Sequence, residues 1–293
     1  MVALLRLARP KQWTKNLLVF AAWLFTNGWS TPGATKAAAL AFVALCLASS
    51  AVYIVNDLLD AEQDKLHPTK RLRPIAAGLV AKSTAGGLAM LLLAGAISIS
   101  LLTNLTGGMA AFLGGQIAYN LGLKRIAGLD VLTISMLFVQ RAAMGALALD
   151  VYISPWLLFC TGTLAFLVAV VKRRQEFIAT EGSGQTRAAL STYSRPALDG
   201  MMLMGAVLAI MSYGIYAIES PTAKAHPALL VTVPVVLYAV VRYVLIAFHS
   251  GQGEEPETVL FTDIHMICCF LLFVGLSLFV MSGWTIPLLE ARP

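Results

Sequence analysis

Apolar windows of about 17–25 residues recur along this chain from one end to the other, each long enough to cross a bilayer as a helix. They lie near residues 16–31, 36–58, 84–103, 106–122, 130–149, 154–175, 197–218, 227–248 and 262–283. Pro32-Gly33, Asn104, Gly128, Ser154-Pro155, Pro221 and Pro227 punctuate them where loops belong. Over 293 residues the chain is 58% hydrophobic and only 12% charged, and a soluble domain would carry about twice that charge. The expected fold is therefore all-α: a polytopic membrane protein of nine transmembrane helices, forming one integral membrane domain over residues 1–293. Gly251–Glu257 is the segment of most disordered composition, and no internal repeat stands out.

The basic residues orient these spans. Of the 21 Lys and Arg residues, all but Lys36, Lys224, Arg292 and the intraspan Arg141 fall on the side that holds the N-terminus. By the positive-inside rule that side is cytoplasmic, which sends the C-terminus outside and makes the plasma membrane the expected location. Arg6, Arg9, Lys11 and Lys15 precede the first apolar stretch without a small-residue cleavage site, so no signal peptide is expected. Cys46, Cys160, Cys268 and Cys269 lie in apolar runs without metal-ligand spacing and read as buried free thiols.

The chemistry concentrates at Asn56-Asp57-Leu58-Leu59-Asp60-Ala61-Glu62-Gln63-Asp64, directly after the second window. If the helix continues, its 100° step places Asn56, Asp57, Asp60 and Asp64 within an arc of roughly 100°. Three carboxylates on one face repel one another unless a cation sits among them. Mg²⁺ suits carboxylate oxygens and usually keeps positions for substrate phosphates. Lys65, Lys70, Arg71 and Arg73 follow at once, as a metal–diphosphate complex requires for the oxygens that the metal leaves uncovered. An ordinary solvated loop would explain the basic residues, but neither the number nor the spacing of the acids.

The sixth-to-seventh connection carries Lys172-Arg173-Arg174-Gln175-Glu176, then Arg187, Tyr193 and Arg195, with no aspartate between 172 and 195. These cations read either as an anion site or as a topological anchor, and Arg174 is the one best explained as an anchor. Arg141, set within a span, is an ionisable group at an expensive depth and reads as a phosphate ligand or as the buried partner of an acid such as Asp130. Lys15 and Asn16 fall at the cytoplasmic end of the first window. The glycine pairs 107–108 and 114–115 read as close helix packing, and Trp13, Trp23, Trp29, Trp156 and Trp284 as interfacial anchors.

The pattern N-D-x-x-D-x-x-x-D with a following basic R-P segment resembles the first aspartate-rich motif of the UbiA superfamily of intramembrane prenyltransferases. The resemblance covers essentially the whole chain and implies a nine-helix bundle around a cytoplasmic-facing cavity. Most members carry a second aspartate-rich motif in the 6–7 connection, and this chain has cations there. That departure is similar to the decaprenyl-phosphate phosphoribosyltransferase branch. The branch pattern matches Arg9–Asn16 (RPKQWTKN), Asp64–Gly78 (DKLHPTKRLRPIAAG), Lys172–Glu176 and, with one extra Glu, Gly253–Glu257.

The resemblance implies transfer of 5-phosphoribose from 5-phosphoribosyl 1-diphosphate to a polyprenyl phosphate, supplying a lipid-linked precursor of cell-wall arabinan. It assigns Mg²⁺ to Asp57, Asp60 and Asp64. Substrate binding falls to Lys15, Asn16, Asn56, Lys70, Arg71, Arg73, Arg141, Lys172, Arg173, Glu176, Arg187 and Tyr193. The acceptor phosphate is already ionised near neutral pH, so no strong general base is needed. Expected partners are the two substrates and the membrane, with a homo-oligomer in keeping with the small-residue helix faces and no nucleic acid. Two other readings stand beside it. A polyprenyl diphosphate:aromatic acceptor transferase would need the missing second motif. A polyprenyl-phosphate transporter or binding protein would not need three metal-spaced aspartates.

Overall fold

A segment crossing hydrocarbon must satisfy its own backbone hydrogen bonds, so windows of this kind fold as helices. The computed structural model describes residues 2–66, 70–180, 189–249, 259 and 262–286, and among them there is no strand. Helix α1 (Val2–Ala8) precedes a 3-10 segment, Pro10–Val19, that runs into α2 (Phe20–Phe25). Then come α3 (Ala34–Leu59), α4 (Ala61–Leu66), α5 (Lys82–Leu102), α6 (Thr106–Leu121), α7 (Leu129–Leu149) and α8 (Pro155–Thr180). The series ends with α9 (Arg195–Glu219), α10 (Pro221–Ala225), a 3-10 turn at Pro227–Thr232, α11 (Val233–His249) and α12 (Ile264–Met281).

Among the described residues, seven helices are long and apolar enough to cross a membrane: α3, α5, α7, α8, α9, the stretch Pro227–His249, and α12. The chain is a multi-pass membrane protein. Two expected windows come out differently. The window at 16–31 is not one helix: helical structure starts at Pro10 and stops at Phe25, before a turn with Asn27 at φ 57°. Proline suits the first helical turn because its fixed φ is already helical and its missing N–H would be unsatisfied there anyway. The window at 106–122 becomes α6, a helix of 16 residues.

The chain forms two compact units, the first made of residues 1–23, 31–120 and 140–151. Within it, α3 turns Ala38, Ala41, Ala44, Ala48 and Ala51 inward at helical spacing, and α5 does the same with Ala85, Ala89 and Ala96. Small faces let the two backbones approach closely, which is how helices associate where lipid offers no hydrophobic drive. Gly145 shows the same economy: a Cβ there would strike the Val19 carbonyl. At the end of α3 the core is Leu7, Ile54, Ala61, Ile75, Val80, Ala85 and Ala89. The N-terminal segment is tied down by Trp13 Nε1, which donates to Ser50 Oγ at 3.0 Å, and by Ser50 Oγ, which donates to the Ala8 carbonyl at 2.7 Å.

The second unit comprises residues 24–30, 121–139 and 152–293. Leu198, Met202, Ala206, Ala209, Tyr213 and Tyr216 form the buried stripe of α9, which packs along α8. Gly205 permits the close approach, since a Cβ would sit 3.2 Å from the Leu167 Cα. A hydroxyl pair joins the two helices, Thr163 Oγ1 and Ser212 Oγ at 2.9 Å. Val131, Leu167, Val170, Val171, Leu198, Met202 and Tyr243 belong to the core beneath the end of α8. All four cysteines are free, and Cys46, Cys160 and Cys269 are buried as expected. Cys268 is exposed, because it falls on the outer face of α12.

Candidate functional site

The helix does not run unbroken through the acidic motif. It ends at Leu59, Asp60 bends with φ −89° and ψ 0°, and α4 restarts at Ala61. The helical hydrogen bonds nevertheless bridge the bend: Asp60 N–H donates to the Asn56 carbonyl at 2.9 Å, and Asp64 N–H to the Asp60 carbonyl at 2.8 Å. The spacing therefore survives the break. Asp57 and Asp64 are buried, while Asn56 and Asp60 are half-buried.

Two arginines answer the buried acids. Arg73 Nη1 donates both to Asp64 Oδ2 at 2.7 Å and to Asp57 Oδ1 at 3.1 Å, so a single nitrogen bridges the two carboxylates. Arg9 Nη2 donates to the same Asp57 Oδ1 at 2.6 Å, and its guanidinium lies 5.1 Å from the centre of the Tyr53 ring. Arg9 holds φ 51°, a left-handed conformation that costs a side-chain-bearing residue energy, at the step into Pro10. Asp57 Oδ2 is buried with no hydrogen-bond partner. An unpaired carboxylate oxygen at that depth is costly unless another positive group completes it. Glu62 belongs to the surface: Lys65 and Lys82 hold its carboxyl below the usual range.

Farther along the same unit, Asn16 is fully buried. Its Oδ1 accepts from Arg141 Nε at 2.8 Å, and its Nδ2 donates to Cys46 Sγ at 3.3 Å. The Arg141 guanidinium also lies 4.9 Å from the centre of the Phe112 ring. The intraspan arginine is thus buried and held by an amide and an aromatic face. Lys15 and Lys70 are half-buried and Arg71 is exposed.

In the second unit the basic end of α8 forms another ionic centre. Arg173 is buried, with Nη1 2.7 Å from Glu176 Oε2 and Nε 3.8 Å from Asp130 Oδ2. That 3.8 Å is too long for a hydrogen bond, and both Nε and Oδ2 are without such a partner. Tyr193 completes Asp130 from the other side. Its hydroxyl donates to Asp130 Oδ1 at 2.8 Å and accepts from the Gly128 N–H at 2.6 Å. Burial, reinforced by Asp130, pushes the Tyr193 hydroxyl up to about 12, so it stays protonated and donating. Arg174 points elsewhere: Nε donates to Asp199, Nη1 donates to the Ala247 carbonyl at 2.9 Å, and the guanidinium stacks 4.9 Å from the Phe248 ring centre. Lys172 is half-buried beside them.

The structure thus brings together Asp57, Asp64 and Arg73 from the residues expected at the site, and separately Arg173, Glu176 and Tyr193. Among the described residues no three His, Cys, Asp or Glu side chains are grouped as a metal cage. Mg²⁺ asks for less, since it is commonly bound by one or two carboxylates together with substrate phosphates and water. The orphaned Asp57 Oδ2 beside Asp64 fits that demand. Arg187, His67 and the Gly253–Glu257 loop lie outside the described residues. Sequence reasoning missed Arg9 as a partner of Asp57 and passed over Asp130 as the centre of the Arg173–Tyr193 group. Arg9 was visible as a basic residue before the first window and as the first residue of an R-P step.

Comparison with known proteins identifies the family. Residues 17–261 match the model of the UbiA prenyltransferase family. A decaprenyl-phosphate phosphoribosyltransferase of Mycolicibacterium smegmatis is 34% identical, covering 93% of this chain and 90% of its own length. The protein of the same name from Corynebacterium glutamicum is 32% identical, covering 89% and 81%. A UbiA homologue from Archaeoglobus fulgidus, solved bound to GPP and Mg²⁺, shares the fold with a TM-score of 0.75 at 16% identity, covering 96% of this chain and 99% of that one. A multi-pass chain, all-helical among the described residues, with Asp57 at the end of α3 and Asp64 in α4, it belongs to the UbiA prenyltransferase family.

Proposed function

We propose that this chain is a Mg²⁺-dependent transferase that moves 5-phosphoribose from 5-phosphoribosyl 1-diphosphate to decaprenyl phosphate and releases diphosphate. What carries the reading is the match, over most of both chains, to relatives bearing that activity's name, joined to an acidic turn with an unsatisfied buried carboxylate oxygen. The cations of the α8 end favour it over prenyl transfer from a second acid-bound diphosphate.

Asp57 and Asp64, with Asp60 at the bend, would hold the metal. When bound, it supplies charge neutralisation for the departing diphosphate. Lys70, Arg71 and Arg73 then face the remaining phosphate oxygens, where charge-assisted hydrogen bonds are strongest. Lys172 and Arg173, with Arg187, take the other phosphate groups, Glu176 pairs with Arg173 until a phosphate replaces it, and Tyr193 keeps Asp130 in place. Lys15, Asn16 and Arg141 support the mouth of the acceptor site, and Asn56 supports the acidic turn. The reaction breaks the C1–O bond to diphosphate and forms a C1–O bond to an oxygen of the lipid phosphate, with inversion at C1. The attacking oxygen is already anionic, so no side chain needs to remove a proton.

In this reading the Pro10–Phe25 segment and α6 join the seven long spans to make nine crossings of the plasma membrane. The N-terminus and both ionic centres face the cytoplasm, where phosphorylated metabolites are found, and the product feeds arabinan assembly. Cysteines placed at the exposed positions Leu66 and Lys224 should label from opposite sides, and labelling from one side overturns the count. The direct test is purified protein with Mg²⁺, labelled 5-phosphoribosyl 1-diphosphate and decaprenyl phosphate. Label should enter the lipid and disappear with EDTA. Inactivity there, with turnover of a prenyl diphosphate and a phenol, would return the chain to aromatic prenylation.

A further inference from the structure

The bridge made by Arg73 raises a question of space and sign. Asp57 and Asp64 are buried carboxylates that share one Arg73 nitrogen, at 3.1 and 2.7 Å. A cation that bound both carboxylates would need the position which that nitrogen holds. Asp57 Oδ2 is buried and free of any hydrogen-bond partner, so the pair has unused capacity for a positive group. The two arginines on Asp57 are not alike. Arg9 is fixed by its left-handed backbone, by Tyr53 beneath its guanidinium, and by the Trp13–Ser50–Ala8 bonds behind it. Arg73 stands just after a single 3-10 turn, Lys70–Leu72, and only the far end of its side chain is held by the acids.

Resting on the metal–diphosphate reading of this turn, we propose that Arg73 is a resident counter-cation: it holds the two carboxylates together while the metal is absent, and passes to the substrate's diphosphate when the metal takes its place. Without Arg73 the two buried carboxylates would share only Arg9, on Asp57, and would repel across a poorly solvated gap. The bridge keeps the site assembled in that state. When a divalent cation neutralises the carboxylates, Arg73 loses its partners and its planar fork of N–H donors is released for a phosphate. Arg9 remains on Asp57 throughout. Arg73 is then a competitor of the metal alone and an ally of the metal–diphosphate pair.

Opposite signs follow for one substitution. In the purified full chain, Mn²⁺ binding followed by electron paramagnetic resonance should tighten roughly tenfold in Arg73→Met, the size of one lost charge-assisted hydrogen bond. Inorganic pyrophosphate should bind the Mn²⁺-loaded variant roughly tenfold more weakly than it binds loaded wild type. Arg73→Gln, which keeps an N–H donor toward the carboxylates but carries no charge, should show both changes and serves where the methionine variant does not fold. Asp57→Asn should lose Mn²⁺ in every background. Wild-type binding that Asp57→Asn abolishes, together with unchanged or weaker Mn²⁺ binding in Arg73→Gln, overturns the exchange and leaves the metal site standing. Wild type that takes no Mn²⁺, with or without pyrophosphate, overturns the metal reading and the exchange with it.

Discussion

The two ionic centres differ in the sign of their half-exposed partners. In the acidic turn the carboxylates are the buried partners: the Asp57 and Asp64 side chains are 3% and 5% exposed, against 27% for both Arg9 and Arg73. At the α8 end Arg173 and Arg174 are buried at 3%, beside the fully buried Asp130, and the half-exposed partners are anions, Glu176 at 31% and Asp199 at 30%. A buried charge cannot be left alone, whereas a half-exposed partner can return to water at modest cost. The buried member therefore fixes the sign that must be met, and the half-exposed member is the one that can be traded. On the proposed reading the first centre would trade one cation for another, and the second one anion for another. This is the division that a metal-bound diphosphate at one centre and phosphate groups at the other would use.

The comparison breaks most visibly if its buried members can be neutralised without loss. Asp57→Asn and Asp64→Asn should each lower turnover at least tenfold, because charge stabilisation by a metal is worth several kcal/mol, roughly a factor of ten for each 1.4. Asp60→Asn should lose less than either, since Asp60 is half-buried at the bend. Initial rates across a Mg²⁺ titration measure all three, and full activity of Asp57→Asn in excess chelator removes the metal from the reaction.

Next in size are the two neighbouring arginines, of which the sequence already sets Arg174 apart as the better anchor. Arg173→Ala should raise KM for the phosphoribosyl substrate about 10- to 150-fold, the range of a buried charge-assisted contact. The loss should shrink for an analogue lacking the 5-phosphate if Arg173 holds that group. Arg174→Ala should leave kinetics per folded molecule unchanged and lower stability by about 3 kcal/mol, because among the described residues its polar and ring contacts go to Asp199, the Ala247 carbonyl and Phe248. Matching kinetic losses in both variants would erase the distinction.

That distinction also marks how far sequence reaches. The long spans were legible because hydropathy over about 20 residues is a bulk property and needs no knowledge of neighbours. The acidic spacing was legible although the helix breaks, since the hydrogen bonds from Asp60 and Asp64 preserve the register across the bend. Arg9 was not legible as a partner of Asp57, because the pair is separated by 48 residues and a basic residue before a span reads equally well as an anchor. Arg141 was legible as a buried cation with something to hold. Its partner Asn16, 125 residues away, was not. Charge and depth are local quantities, while the identity of the partner is a tertiary one.

Tyr193 offers a smaller test through pH. Its folded-state value of about 12 lies above the ordinary tyrosine value of 10.0, so the folded chain keeps a proton that the unfolded chain loses. Its contribution is intact below pH 10 and declines as pH rises toward 12. Tyr193→Phe should flatten that alkaline decline in chemical-denaturation stability. At neutral pH it should cost about 1–3 kcal/mol, because Asp130 Oδ1 and the Gly128 N–H lose their shared hydroxyl. An unchanged alkaline slope would mean that some other group controls it.

The smallest expected effect is the most diagnostic of the opposed signs of the half-exposed partners. Glu176 lies 2.7 Å from Arg173 Nη1, yet its side chain is 31% exposed, and so it is the tradable anion of its centre as Arg73 is the tradable cation of the other. Glu176→Gln removes the charge that competes with an incoming phosphate while keeping the length and an amide near Arg173. KM for 5-phosphoribosyl 1-diphosphate should then fall about two- to fivefold, the worth of a half-exposed ion pair of up to about 1 kcal/mol. Turnover should change far less than in Asp57→Asn. A rise in KM instead would show that Glu176 positions Arg173 or a substrate hydroxyl and is never given up, confining the exchange of partners to the acidic turn.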